Sequence, residues 1–399
     1  MMRAKQFAAA FLLGIAGAAF ADGVDFSGLL DSTVTLGAGA GMTPDFFYGL
    51  EEYANIRMQA KLRDGISFYG ALNLIAAAGS PAATAAALGV KNAAAYPDFA
   101  PSSFAAGENY TAGLELERLY FRVNGEYLDV DGGLMRIAFG YGRIFGPSDF
   151  LNPKNPLAPD ARPRAVLGGV LSVYPLDSLK LRLFGAAPKN PLSLEGEGGL
   201  LGLSGDQHWD KASVQALYVF ESPAKGSLWG IHRLGLSLKV DLELGFTVDL
   251  LYAYNREANT GLDGLSFSGG GDYSFGEGRW YVQAEYLYNG AASSTSVQSG
   301  NPAGFSGEHL LYTGATWLYT DYTSFTLACL SSLSDCSFAP VLSVEHELSQ
   351  GFTLSLACRV PLDRDLFSGD GSRGELGPLP PGSGEGSRFI LTAKARLRF

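Results

Sequence analysis

The chain has 399 residues, with a net charge of −11, 17% charged residues, 12% aromatic residues and 52 glycines. The acidic balance argues against nucleic acid as a partner, and three cysteines are too few for a disulfide-rich scaffold. Beyond the N-terminus no stretch is long and apolar enough for a helical span, so hydrophobicity is spread thinly along the chain.

The first element is "MMRAKQFAAAFLLGIAGAAFADG". It carries Arg3 and Lys5, an apolar run over 7–19 and the small-x-small site Ala19-Phe20-Ala21. This pattern predicts a secretory signal peptide over 1–21, leaving 22–399 as one large domain. The apolar run is short for a membrane span, which needs ~20 residues. No cysteine follows the cleavage site, so no lipoprotein anchor is expected.

A period of two then recurs down the chain. In "YANIRMQAKL" Ala54, Ile56, Met58, Ala60 and Leu62 alternate with Tyr53, Asn55, Arg57, Gln59 and Lys61. "GLELERLYFRVNG" repeats the pattern with one slip of phase near Glu117 and Arg118, consistent with a β-bulge. Leu179, Leu181 and Leu183 alternate with Lys180 and Arg182. "RLGLSLKVDL", "RWYVQAEYLY" and "FTLSLACRVPL" follow the same rule, the last setting Arg359 against Cys358 and Val360. The chain ends on "FILTAKARLRF", where Leu391, Ala393, Ala395, Leu397 and Phe399 oppose Thr392, Lys394, Arg396 and Arg398, with Ile390 out of place. Such alternation marks strands whose two faces meet different solvents.

Seventeen candidate strands begin near residues 24, 47, 66, 112, 133, 165, 179, 211, 230, 244, 264, 279, 308, 322, 337, 351 and 387. Short turns such as 63–65, 175–178, 275–278 and 347–351 alternate with long polar connections at 76–111, 143–164, 188–210, 289–307 and 363–387. Short turns on one side and long loops on the other are the plan of a transmembrane β-barrel, in which strand number is even. Turn parity counted from both ends places the discrepancy between 187 and 230. Either a strand hides in 190–205 or the segment 211–220 lies outside the barrel, giving 18 or 16 strands, with 18 favoured. The fold class is therefore all-β, a single antiparallel barrel.

These features resemble Gram-negative-type outer-membrane β-barrel proteins of the porin kind. The resemblance implies a location in the cell outer membrane, membrane lipid as solvent, and a last strand ending in Phe399 and Leu397 that the barrel assembly machinery recognises. A second resemblance lies in 135–175. It is similar to a strand–loop–strand segment of several porin-like families that pass anionic or sugar-like solutes, matched at Gly142, Arg143, Gly146, Asp149, Asn152 and Pro153.

The loop 143–164 is stiffened by five prolines and holds Arg143, Asp149, Lys154, Asp160, Arg162 and Arg164. Folded into the lumen it would narrow the channel and set selectivity. The alternative is an ordinary outward loop. On the strands the lumen-facing candidates are Arg57, Lys61, Arg118, Arg122, Arg136, Lys180, Arg182, Arg233, Lys239 and Arg359, joined by Lys394, Arg396 and Arg398. Fewer acids fall on that face: Glu115, Glu117, Asp241, Asp249, Glu285 and Glu345. That balance predicts a weakly anion-selective pore, unless the basic residues are paired.

No catalytic, cofactor or metal site is expected. The four histidines, His208, His232, His309 and His346, have neither a hydrolase pattern nor ligand spacing. Cys329 and Cys336 flank a hairpin loop, and their pairing is left open. Three functions stay in view. The first is a water-filled porin for small polar or anionic solutes. The second is a transporter of apolar solutes, a class that usually carries a plug ahead of the first strand, for which strand pattern from Val24 leaves no room. The third is an adhesin barrel. Self-association with further copies is left open.

Overall fold

The computed structural model describes residues 23–39, 46–80, 102–152, 165–187, 198–223, 229–256, 261–290, 307–360, 362 and 387–399. The first strands are β1 (Gly23–Gly39), β2 (Phe46–Arg63), β3 (Ile66–Gly79), the short β4 (Ser102–Ala106), β5 (Tyr110–Asn124) and β6 (Leu128–Met135). Then come β7 (Val166–Leu176), β8 (Leu179–Ala186), β9 (Leu200–His208), β10 (Ala212–Glu221), β11 (Ile231–Asp241) and β12 (Leu244–Asn255). The chain closes with β13 (Leu265–Phe275), β14 (Trp280–Asn289), β15 (His309–Thr320), β16 (Thr323–Ser332), β17 (Phe338–Ser349), β18 (Phe352–Arg359) and β19 (Ser387–Arg398).

All nineteen lie in one sheet. Consecutive long strands pair antiparallel, and β1 pairs with β2 on one edge and β19 on the other, so that Asp31 stands opposite both Tyr53 and Arg396. The sheet is thereby closed, which removes the exposed edges a long open sheet would present. The wall has 18 strands. β4 adds only a short piece along residues 111–114 of β5, whose pairing with β6 begins at Leu119.

The two faces separate by solvent as the alternation requires. Along β11, Leu234 and Leu236 are 54% and 53% exposed on the outside, while Arg233 and Ser237 on either side of them are 2% and 1% exposed on the inside. An outward apolar band on a closed barrel matches lipid rather than water. Near the tight turns, the rings of Tyr273, Phe275, Trp280 and Trp317 stack on the outer face with successive centroids 6.0, 6.1 and 5.5 Å apart. Near the other end Tyr218, Tyr254, Tyr286 and Tyr288 face outward. Amphipathic rings at two levels fit the two interfaces of a bilayer.

The missing strand is β9, inside the interval that parity singled out. Its sequence "LLGLSGDQH" carries glycines on both faces, which weakens its alternation. The phase slip in β5 is a bulge, with register shifting between Ala71 and Leu72 opposite Glu117. Ile390 is inward and buried. Two expectations need correction. β3 runs on to Gly79, and β4 and the start of β5 occupy 102–106 and 110–111, so the connection placed at 76–111 is shorter than expected. β6 starts at Leu128 rather than near 133 and ends at Met135, so the loop after it begins at Arg136. All three cysteines are free.

Candidate functional site: the interior wall and the loop across it

After β6 the chain leaves the wall and crosses the barrel interior. Its described part, 136–152, makes contacts with β8, β10, β11, β12, β13 and β14 on the face opposite their outward leucines. Only the inside of a closed barrel lets one short segment reach so many strands.

Among the described residues, three wall side chains accept backbone N–H groups of the crossing loop. Gln215 of β10 accepts the Gly140 N–H at 2.6 Å. Asp249 of β12 accepts from the Ser148 backbone N–H at 3.3 Å and from the Ser148 hydroxyl, and it also accepts from Ser237 of β11. Glu285 of β14 accepts from three successive N–H groups, those of Arg143, Ile144 and Phe145, at 3.2, 3.0 and 2.9 Å. Within the loop, Asp149 accepts from the Phe139 N–H and the Asn152 amide, and Arg136 lies 3.5 Å from it.

The loop sequence suits this path. Gly140 has φ +74, a region that disfavours side chains, and a Cβ there would stand 2.6 Å from Asp249 Oδ2. A Cβ on Gly142 would stand 1.8 Å from the Phe145 carbonyl oxygen. Apolar side chains complete the seat. Phe145 is buried among Leu287, Leu310, Leu330 and Ala339, while Phe139 joins Phe184, Leu217 and Val219. Tyr141 is pushed up to about 12, first by burial and then by nearby Asp206, against the opposing pull of Arg182, so it stays neutral at physiological pH.

The predicted residues divide by this geometry. Every strand-borne basic candidate points inward. Arg182 and Arg233, however, brace the loop instead of lining open water. Arg182 donates to Ala138 O at 3.2 Å, pairs with Asp206 at 3.2 Å and lies over the Phe139 ring. Arg233 pairs with Glu221 and lies over the Phe150 ring. Arg143 pairs with Asp272 at 2.9 Å and donates to the Tyr281 hydroxyl. The opposite wall, formed by β1–β5 with β18 and β19, holds Arg57, Lys61, Arg118, Arg122, Arg359, Lys394, Arg396 and Arg398. There Arg57 donates to Asn55, and Asn55 and Asn73 bond Glu117 and Glu115. Lys180 lies over the Tyr174 ring and Lys239 pairs with Asp241 at 2.7 Å. Lys154, Asp160, Arg162 and Arg164 lie outside the described residues, as does Pro153.

The expected surplus of basic charge needs correction. Asp31 holds Arg396 through two contacts of 2.7 Å, and Asp131 holds Arg122 at 2.6 Å. With Asp206, Glu221 and Asp272, these are five inward acids absent from the sequence-based count, and each pairs with an arginine. The histidines bond hydroxyls: His208 to Ser213, His232 to Tyr218, His309 to Tyr286 and His346 to Thr323.

No family model and no curated protein matches the sequence. Solved structures do match. OccAB1 of Acinetobacter baumannii superposes with a TM-score of 0.56 at 9% identity, over 95% of this chain and 97% of that one. OccK7 (OpdD) of Pseudomonas aeruginosa gives 0.53 at 10% identity, over 95% and 99%. The outer membrane protein OpdK of the same organism gives 0.53 at 10% identity, again over 95% and 99%. The chain has the fold of these outer-membrane barrels over 95% of its length.

Proposed function

We propose that the protein is an outer-membrane porin, a water-filled channel through which small polar solutes, neutral or anionic, diffuse passively. One observation carries this reading. A closed barrel with an apolar outer face keeps charged side chains on its inner wall, and the described part of the crossing loop, 136–152, packs against the part of that wall formed by β7 to β17. The route left for solute runs along β1–β5, β18 and β19. The loop is the constriction, since it narrows the lumen from one side.

A preference for anions is weak in this reading and rests on Arg57 and Lys61, which have no carboxylate partner among the described residues. Segment 1–21 is proposed as the export leader, and Phe399 with Leu397 as the signal read by the barrel assembly machinery. The likeness in fold to OpdK, OccAB1 and OccK7 supports the membrane location.

Liposome swelling tests the channel. Vesicles carrying the refolded, heat-modifiable protein should swell in isotonic arabinose, and more slowly as the sugar is made larger. Vesicles that behave like protein-free controls in every sugar would remove the channel reading.

A further inference from the structure

We infer that Glu285 is the positioning residue that holds the loop tip in the lumen, and so sets the width of the channel; the inference rests on the channel reading above. Three consecutive backbone N–H groups of the tip, from Arg143, Ile144 and Phe145, converge on its carboxylate at 3.2, 3.0 and 2.9 Å. Converging N–H groups form a concave nest suited to an anion. Glu285 itself is almost completely buried, where a carboxylate is tolerated only if well bonded.

The other wall acceptors do less. Asp249 shares its bonds between Ser148 of the loop and Ser237 of the wall, so part of its bonding survives without the loop. Gln215 takes one N–H and also donates to Asp206. Next to Glu285, Arg143 reaches Asp272 and Tyr281 on the same wall, and Phe145 fills the apolar seat. Removing the Glu285 carboxylate leaves three N–H groups without this acceptor at a buried site, a cost the loop escapes by moving out to water.

Two readouts test this in Glu285→Ala and Glu285→Gln. The first is trypsin cleavage after Arg143 in the folded barrel, since a released tip becomes a substrate whether or not the barrel conducts. The second is unit conductance in a planar bilayer. The parent should resist cleavage at Arg143. The Ala variant should be cut there while remaining heat-modifiable, and its conductance should rise on the order of two-fold as the constriction widens. The Gln variant, which keeps one acceptor oxygen, should fall between. A conducting parent with an Ala variant equal to it in both readouts overturns the inference. A non-conducting parent whose Ala variant is cut at Arg143 supports the positioning role and removes the channel reading instead. If the Ala variant does not fold, the Gln variant carries the test. A folded Gln variant that resists trypsin and conducts like the parent overturns the inference, and one cut after Arg143 supports it.

Discussion

At the scale of single residues, alternation places a side chain on one face wherever a strand keeps its period, as for Arg57, Lys180 and Arg359. It failed for acids set in irregular surroundings. Asp131 sits among glycines in "DVDGGL", Asp272 follows three glycines, and Asp206 lies in β9, whose alternation is blurred. Asp31 falls in a stretch with Ser and Thr on both faces. Small residues on both sides erase the contrast on which the assignment depends. These acids decide the electrostatics, because each ends on an arginine. The pair Asp31–Arg396 also ties β1 to β19 at the closing seam, with two contacts of 2.7 Å. Asp31→Asn should therefore destabilise the barrel by about 1–3 kcal/mol, below a fully buried pair because Arg396 is partly exposed. The midpoint of urea unfolding in detergent checks this. An unchanged midpoint would mean that the seam is held by its backbone ladder alone.

At the scale of elements, long strands with one apolar face were legible, and so was a mismatch of parity between 187 and 230, for which a further strand was favoured over a segment outside the barrel. The path of the loop after β6 was not. Its prolines and charges show stiffness and polarity, but nothing local says that Glu285, far along the chain, will receive its N–H groups. The last strand makes a separate prediction. Phe399 closes on β1 through Gly28, donating its N–H to the Gly28 carbonyl at 3.1 Å and accepting the Gly28 N–H at 2.8 Å. Its ring lies over Gly28, where a Cβ would come within 2.7 Å of it. The side chain is 60% exposed on the outer face, so its burial stabilises the folded barrel by less than the ~1.5–3 kcal/mol of a fully buried ring. Deleting Phe399 should thus lower the amount of assembled, heat-modifiable protein in cells far more than it lowers stability after refolding. Equal assembly with and without Phe399 would remove its role as a signal.

At the scale of the whole molecule, strand parity puts the tight turns at one mouth and the long connections at the other. Cys336 lies in the connection between β16 and β17 at the long-loop mouth and is exposed, whereas Cys329 and Cys358 lie within β16 and β18 on the outer face and are only partly exposed. In a barrel oriented with its long loops outside, a membrane-impermeant maleimide added to intact cells should label the protein, and Cys336→Ser should abolish the labelling. Labelling that appears only after the outer membrane is opened would reverse the orientation. Selectivity is also a property of the whole lumen. Its arginines are largely paired, so the parent should show a small reversal potential of anionic sign across a KCl gradient, and Arg57→Glu should move it towards cations. A strong cation preference in the parent would mean that the inward acids outweigh Arg57 and Lys61.

The central claim is that the barrel encloses a continuous water path. The most direct measurement is the current through a planar bilayer in KCl as the purified, heat-modifiable protein is added. The account predicts discrete upward steps of uniform size with a nearly linear current–voltage relation. A bilayer that takes up the folded protein, as shown by antibody capture from the membrane, yet stays at its bare conductance would contradict it.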